Sequence, residues 1–204
     1  MEIIDFVKNE YWLDKSHSQK GLESSTGSVE YIGTYNWMKE LSLNGFIEIG
    51  SAFGGSFHLW STLINGKKIS IDMESVGQYP QNLTLERMNQ RNDIWRKHFT
   101  DVHCVQGNSH LTTTVDKIAD VLVDDLVDWL FIDAEHTYEG VKAEFEMYKH
   151  FVRPGGYVGF HDIRMLVDDS GNRGPGCGVY WNELVASNQY KHWEFGEVIG
   201  VIQL

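Results

Sequence analysis

The sequence has few cysteines and a deficit of basic residues. Cys104 and Cys177 are the only cysteines among 204 residues, and neither belongs to a CxxC pair. This scarcity favours a reduced, intracellular setting over a disulfide-stabilised one. Lysine and arginine number 17 against 29 aspartates and glutamates, so the formal net charge is −12. Because nucleic-acid backbones and anionic membranes repel such a chain on average, we expect neither as a partner.

Long apolar runs are absent as well. No stretch approaches the length of a membrane span. The first ten residues mix Glu2, Asp5 and Lys8 with apolar side chains, unlike a secretion signal, so we expect a cytoplasmic protein. The hydrophobic share of 42% and the charged share of 23% are those of an ordinary globular protein. The length predicts a single domain over residues 1–204.

Short apolar runs alternate with helical stretches along the chain. Continuous apolar strands that alternate with helices are typical of a parallel sheet covered on both faces, so we expect an α/β fold. The last two runs lie close enough to pair as antiparallel strands. The predicted strands are Gly45–Gly50, Lys68–Asp72, Val102–Val105, Val127–Asp133, Gly156–Phe160, Trp193–Phe195 and Val198–Ile202.

The spacing of apolar residues also predicts helices. Tyr138, Val141, Phe145 and Tyr148 form one stripe that faces the sheet, whereas Glu144 is expected on the solvent side. Other helices are predicted over Leu83–Phe99, His110–Leu122 and Val179–Ala186, with a turn at Arg153–Gly156.

The residues before the first strand are too few for a domain of their own. Helical patches occur near Ile3–Val7 and Tyr31–Leu41. We expect residues 1–44 to form an N-terminal helical cap or an oligomer contact, so that a homo-oligomer is one option. The core would then comprise residues 45–204.

A glycine-rich loop follows the first predicted strand. Glycine allows a tight turn and lets a ligand approach the backbone near the start of a helix. The spacing is E-x-G-x-x-x-G, and Ala52 replaces the second glycine of the dinucleotide fingerprint, which argues against a nicotinamide cofactor. Asp72, 22 positions after Gly50, suits a carboxylate that accepts hydrogen bonds from ribose hydroxyls. A purely structural turn is the alternative. The loop positions of interest are Glu48, Gly50, Ser51, Gly54 and Ser56.

Two predicted strands end in acidic and histidine residues. Asp133 and His136 follow the fourth strand, and His161 with Asp162 follows the fifth. Because the carboxyl ends of parallel strands meet at one edge of a sheet, these groups could hold a divalent cation, with His136 as a general base. Alternatively, the two aspartates cap helices and the two histidines are solvated or structural.

Together these segments resemble class I S-adenosylmethionine-dependent methyltransferases. The similar subgroup contains catechol O-methyltransferase, macrolide sugar O-methyltransferases and cephalosporin hydroxylase-like proteins. The likeness covers Gly45–Leu204 and is most specific at Phe46–Ser51, Phe131–Val141 and Val152–Ile163. It implies a Rossmann-like sheet in the order 3-2-1-4-5-7-6 with the last strand antiparallel. It also implies an O-methyltransferase that acts on a hydroxyl of a small molecule or sugar.

The resemblance also assigns roles to single residues. It implies that Glu48, Gly50 and Ser51 line the methionine part of S-adenosylmethionine and that Asp72 holds the ribose. The turn Gly107, Asn108 and Ser109 would face the adenine.

The same resemblance implies a magnesium site at Asp133, His161 and Asp162, with His136 as the base. Manganese is an alternative ion. The relatives carry two acidic residues where this chain has His161 and Asp162, which leaves a weaker site, another metal or metal-independent chemistry open. A nicotinamide oxidoreductase, a metal-dependent hydrolase and a non-catalytic S-adenosylmethionine-binding module remain alternative functions.

Three segments are expected to recognise the substrate: Met73–Gln81, Arg164–Gly178 and the N-terminal cap. Within the second, Val167–Gly176 is rich in turn formers and is predicted to be a lid. Tyr180 and Trp181 could stack on a substrate ring or pack their helix onto the sheet.

Overall fold

A mixed sheet of seven strands organises the part of the chain that the computed structural model describes, residues 27–74, 84–168 and 174–204. The strands lie in the order β3-β2-β1-β4-β5-β7-β6. Strands β1 to β5 are parallel, and β7 runs antiparallel to both β5 and β6. The predicted Rossmann-like fold is therefore confirmed. The strands are β1 (Asn44–Ile49), β2 (Asn65–Asp72), β3 (Val102–Gln106), β4 (Val127–Ile132), β5 (Val152–Phe160), β6 (Lys191–Phe195) and β7 (Ile199–Gln203).

Helices cover both faces of this sheet. Strand β4 is buried along its whole length, since Leu130 packs into the core of one face and Trp129 into that of the other. Helices α4 to α6 contribute to the first core and α1 to α3 to the second. The helices are α1 (Gly27–Lys39), α2 (Gly55–Ser61), α3 (Leu85–His98), α4 (Thr112–Leu122), α5 (Tyr138–Tyr148) and α6 (Cys177–Ala186), with a 3-10 turn at Lys149–Phe151.

Helix α5 follows its predicted apolar stripe, with one exception. Val141, Phe145 and Tyr148 are buried against the sheet, and the Thr137 hydroxyl caps the helix by accepting a hydrogen bond from the backbone N–H of Gly140. The prediction for Glu144 is wrong, because its side chain is fully buried. The exception has a long-range cause, since Ser109 from another loop donates a hydrogen bond of 2.6 Å to this carboxylate.

The segment predicted as a turn belongs to strand β5. This strand begins at Val152, so Arg153–Gly156 lies inside it. The backbone N–H of Gly155 donates to the carbonyl of Leu204, and the N–H of Leu204 donates to the carbonyl of Gly156. Pairing with the distant C-terminal residues thus extends the strand, whereas the local sequence indicates a turn. Helix α2 had no counterpart among the predicted helices.

Helix α1 is fastened to the sheet by aromatic residues. The ring of Trp37 lies 5.1 Å from that of Tyr157, 5.2 Å from that of Trp193 and 5.5 Å from that of Phe195, measured between centroids. The helix includes most of the predicted patch Tyr31–Leu41, whereas Ile3–Val7 lies outside the described residues. Across the three described ranges, no helix is both long and apolar enough to cross a membrane.

Candidate active site

The carboxyl ends of β1, β4 and β5 meet at one edge of the sheet. Backbone hydrogen bonds continue the ladders just past the strands. The N–H of Asp133 donates to Ile49 at 2.9 Å, and the N–H of His161 donates to Ile132 at 3.1 Å. These bonds fix the starts of the two acidic loops beside the glycine loop.

Three of the predicted site residues converge at this edge. Asp133, His136 and Asp162 each offer one ligand atom, and these three atoms lie within 4.8 Å of one another. Nε2 of His136 is 3.5 Å from Oδ2 of Asp162. The three side chains are between 19% and 25% exposed, so a ligand can reach them. Asp162 has a positive φ of 55°, a conformation that is uncommon outside glycine and that recurs at functional sites.

His161 lies between the two aspartates. Its Nδ1 is 3.2 Å from Oδ1 of Asp133 and 3.1 Å from Oδ2 of Asp162. Burial alone would lower the pKa of His161, but the two carboxylates outweigh it and raise the pKa to about 9. At neutral pH the single positive charge of this imidazolium therefore lies between the two carboxyl groups. To bind a metal, this nitrogen would first have to lose its proton.

The two aspartates respond differently to this environment. Burial raises the pKa of Asp133 to about 6, and the negative charge of Asp162 adds to the rise while His161 opposes it. Burial also acts to raise the pKa of Asp162, but the contact with His161 prevails and lowers it. The site thus contains two carboxylates of unequal acidity around one imidazolium.

Glu48 is a buried carboxylate at the start of the glycine loop. Ser56 donates a hydrogen bond of 2.9 Å to Oε1, and Oε2 lacks a partner among the residues described. Burial raises the pKa of Glu48 to about 8, against the influence of the hydroxyl groups of Ser56 and Ser51. Ser51 accepts a hydrogen bond of 2.8 Å from Ser70 on β2. The loop therefore presents a buried carboxyl group with unused hydrogen-bonding capacity.

Two glycines of this loop are required by packing. Gly50 has a φ of +87°, and a Cβ there would lie closer than 3.0 Å to the backbone of Asp133. Gly54 has a φ of +92°, and a Cβ there would collide with the ring of Trp95. A structural role, which was the alternative to ligand binding for this loop, therefore applies at Gly50 and Gly54. Packing requires glycine at both positions whether or not a ligand also binds there.

Asp72 ends β2 beside this loop and has a partner that the sequence pattern did not reveal. Its Oδ1 accepts a hydrogen bond of 2.8 Å from the N–H of Met73, and its Oδ2 lies 2.9 Å from Nη1 of Arg91. The same Nη1 donates to the carbonyl of Ala52 in the glycine loop. Arg91 lies on the buried face of α3 with Trp95, four residues further on, and an arginine at an apolar helix position is the signal that could have revealed it.

The predicted adenine turn is connected to the loop after β4 through polar side chains. The backbone N–H of Gly107 donates a hydrogen bond to the carbonyl of Asp72, and the hydroxyl of Ser109 donates one to the carboxyl group of Glu144. Nε2 of His110 lies 3.5 Å from Oε1 of Glu144 and 3.2 Å from Oε2 of Glu135 in the neighbouring loop. His110 and Glu144 were not predicted here, because only the fold brings them together. Oδ1 of Asn108 accepts a hydrogen bond of 2.8 Å from the backbone N–H of His110.

Helix α1 adds Tyr31 to the site. The ring centroid of Tyr31 is 5.9 Å from that of His161 and 5.8 Å from that of Trp60. Burial, followed by the charges of Asp133 and Glu48, raises the pKa of this phenol well above its usual value. The N-terminal segment therefore contributes a side chain next to the acidic cluster.

The segments expected to recognise a substrate are described only in part. Residues 75–83 and 169–173, which include the middle of the predicted lid, lie outside the described ranges. Tyr180 and Trp181 are 3% and 1% exposed, and Nε1 of Trp181 donates a hydrogen bond of 2.7 Å to Glu194. These two aromatic residues pack α6 onto the sheet.

The segments that form this edge are similar to those of known proteins. A family model described as a methyltransferase domain matches residues 47–163, which contain the glycine loop, Asp72 and the acidic cluster. An uncharacterized protein of Acanthamoeba polyphaga mimivirus is 30% identical over 124 residues, which is 58% of this chain and 51% of the viral protein. The chain thus matches about half the length of this curated relative.

Solved structures share the fold at low sequence identity. An O-methyltransferase from Bacillus cereus in complex with SAH has a TM-score of 0.64 at 15% identity, covering 89% of this chain and 83% of that one. The MycE methyltransferase of the mycinamycin biosynthetic pathway, in complex with Mg, SAH and mycinamycin VI, has a TM-score of 0.55 at 14% identity, covering 84% and 47%. At these identities the likeness establishes the fold alone.

Proposed function

The chain belongs to the methyltransferase family whose domain model matches residues 47–163, and on this premise we propose that it transfers a methyl group from S-adenosylmethionine to a hydroxyl oxygen of a small molecule or sugar. The observation that carries the proposal is the convergence of Asp133, His136 and Asp162 beside the glycine loop. A methyl transfer to oxygen needs a positioned acceptor and a group that removes its proton, and this cluster can supply both.

The cofactor would occupy the glycine loop and the ends of β2 and β3. Glu48, with its unpartnered buried oxygen, suits the ammonium group of the methionine part. Asp72 would accept hydrogen bonds from the ribose hydroxyls, and the turn from Gly107 to Ser109 would face the adenine. S-adenosylmethionine supplies an already activated methyl group, so the protein mainly positions the reactants. The remaining contacts proposed for the cofactor are Gly50, Ser51, Gly54, Ser56 and Asp133.

His136 is the proposed base. Its imidazole can accept the proton of the acceptor hydroxyl as the new bond to oxygen forms, and it can then release this proton to solvent. Asp162, 3.5 Å from Nε2, would stabilise the imidazolium produced in that step. Asp133 would orient the acceptor from the other side of the cluster.

A divalent cation fits the donor chemistry of this edge. Carboxylate oxygens are the ligands that magnesium prefers, and an imidazole among them inclines the set towards manganese. Asp133 and Asp162 would hold the ion, and the ligand atom of His136 lies within 4.8 Å of theirs. His161, the third ligand that the resemblance implies, would have to give up its proton and its ion pairs with both carboxylates before it could take part. When bound, such an ion lowers the pKa of the acceptor hydroxyl. The MycE structure, which contains Mg and SAH, supports testing for this ion.

Two experiments test the proposal in order. Calorimetry with S-adenosylhomocysteine first measures cofactor binding, and NADH serves as the negative control; absence of S-adenosylhomocysteine binding would contradict the proposal. Incubation with S-adenosylmethionine and a panel of sugars and catechols then measures S-adenosylhomocysteine formation. Each reaction is run after chelation and again after addition of magnesium or manganese. Tight cofactor binding without turnover on any acceptor would favour a non-catalytic module.

A further inference from the structure

Both walls of the proposed ribose pocket are tied to one buried guanidinium. Nη1 of Arg91 lies 2.9 Å from Oδ2 of Asp72 and also donates to the carbonyl of Ala52. The first contact holds the end of β2, and the second holds the glycine loop that follows β1. One nitrogen atom therefore links the two segments between which a ribose would lie.

We propose that Arg91 is a positioning residue that keeps Asp72 and the glycine loop in the arrangement that binds the ribose of the cofactor. This inference rests on the proposed function, because it assumes that Asp72 contacts the ribose hydroxyls. Arg91 itself is only 2% exposed, so it acts through Asp72 and Ala52.

The charge balance at this position explains why a cation is needed. The Asp72 side chain is only 12% exposed. Burial raises the pKa of Asp72, and the positive charge and hydrogen bond of Arg91 oppose that rise. Without the guanidinium, the buried carboxylate would lose its ion-pair partner and take up a proton more readily. A protonated carboxyl group is a poorer acceptor for two ribose hydroxyls than a carboxylate.

The surroundings of Arg91 fix its position. Its guanidinium carbon lies 4.5 Å from the centroid of the Trp95 ring, and its Nε donates a hydrogen bond of 3.2 Å to Asn92. The lack of a side chain at Gly54 lets the glycine loop approach both Arg91 and Trp95. The loop, the acid and α3 thus form one packed unit in which the guanidinium cannot easily turn away.

A loss of ribose recognition can be separated from general loosening of the fold. The cofactor product S-adenosylhomocysteine and its 2′-deoxy analogue differ by one ribose hydroxyl. Calorimetric titration with both compounds gives a discrimination ratio, which is the affinity for the first divided by the affinity for the second. A purely structural defect weakens the binding of both compounds by the same factor and leaves this ratio unchanged.

The variants are Arg91→Met, Arg91→Lys and the control Arg96→Met. Arg96 is on the same helix, and its side chain is 50% exposed and 3.6 Å from Asp93. We expect the wild type and the control to prefer S-adenosylhomocysteine by about tenfold or more, as for a hydrogen bond to a charged group. Arg91→Met should bind S-adenosylhomocysteine about tenfold or more weakly, with a ratio close to one. Arg91→Lys should have an intermediate ratio, because an ammonium keeps the charge but not the planar geometry.

A ratio in Arg91→Met equal to that of the wild type would overturn the inference, even if both affinities fell. Should Arg91→Met fail to fold by circular dichroism, the ratio of Arg91→Lys decides in the same way. If the wild type binds S-adenosylhomocysteine without preferring it over the 2′-deoxy analogue, the inference also fails. If the wild type does not bind S-adenosylhomocysteine at all, the proposed function fails instead.

Discussion

Substitution of Gly50 by alanine should destabilise the protein more than the same change at Gly155. Both glycines have a φ between +80° and +90°, so alanine is strained by a similar amount at either position, about 1 to 2 kcal/mol. At Gly155 a Cβ would meet nothing within 4 Å, whereas at Gly50 it would collide with the backbone of Asp133. The difference between the two variants therefore measures the collision alone.

The size of that difference follows from what must move. Relieving the collision shifts the end of β1, which pairs with the end of β4 on one side and with the end of β2 on the other. The N–H of Asp133 donates to Ile49, and the N–H of Gly50 donates to Ile71, both at 2.9 Å. Loss of these two hydrogen bonds would cost about 2 kcal/mol, at about 1 kcal/mol each. We therefore expect Gly50→Ala to lose about 3 to 4 kcal/mol of unfolding free energy and Gly155→Ala about 1 to 2 kcal/mol.

Urea denaturation followed by tryptophan fluorescence measures both values. Because the same movement displaces Asp133, Gly50→Ala should also lose activity, and Gly155→Ala should keep it. Equal losses of unfolding free energy in the two variants would refute the reasoning, since the collision would then contribute nothing.

Three further predictions concern ionisable side chains. His136→Ala should reduce turnover while the calorimetric affinity for S-adenosylhomocysteine stays nearly unchanged; an equal loss of both would count against its role as the base. Burial lowers the pKa of His58 to about 4, so between pH 6.5 and pH 4 the unfolded chain binds a proton at this residue and the folded protein does not. The free energy of unfolding should therefore decrease as the pH falls from 6.5 towards 4. This amounts to at most about 3 kcal/mol, and His58→Phe should weaken the acid dependence seen in urea denaturation; an unchanged dependence would contradict the assignment. Because Glu48 has a pKa of about 8 and its carboxylate is expected to hold an ammonium, affinity for S-adenosylhomocysteine should rise from pH 6 to pH 8. Glu48→Gln should remove that rise, and a rise that persists in this variant would point to another group.

The sequence was sufficient where a local pattern determines the structure. Strand β4 is apolar at every position except Asp128, and such a run predicts a central strand without knowledge of its neighbours. Asp133 and Asp162 could be assigned to one edge because parallel strands bring their carboxyl ends together. The carboxylate cluster then followed from topology rather than from spacing along the chain.

Long-range pairing determines what the sequence did not reveal. Gly155 and Gly156 are typical of a turn, yet the C-terminal residues pair with them and extend β5. Glu144 occupies a position that helical spacing assigns to solvent, but it is buried because Ser109 supplies a hydrogen bond from another loop. Arg91 is a charged residue on a buried helix face, and its partner Asp72 lies 19 residues earlier. In each case the deciding partner is distant in sequence.

The charges at this edge of the sheet point to the kind of ligand that it can bind. Burial raises the pKa of Glu48, Asp133 and Asp72, which means that each of these carboxylates is less stable in its ionised form than in water. Arg91 offsets this cost at Asp72, and the imidazolium of His161 offsets part of it at Asp133. No hydrogen-bonding partner among the described residues does so for Oε2 of Glu48. A ligand with its own positive charge would provide the missing compensation, and both the ammonium and the sulfonium of S-adenosylmethionine carry one. An anionic acceptor near Asp133 is disfavoured, because its charge would add to the repulsion from Asp162 that already helps to raise the pKa of this carboxyl group.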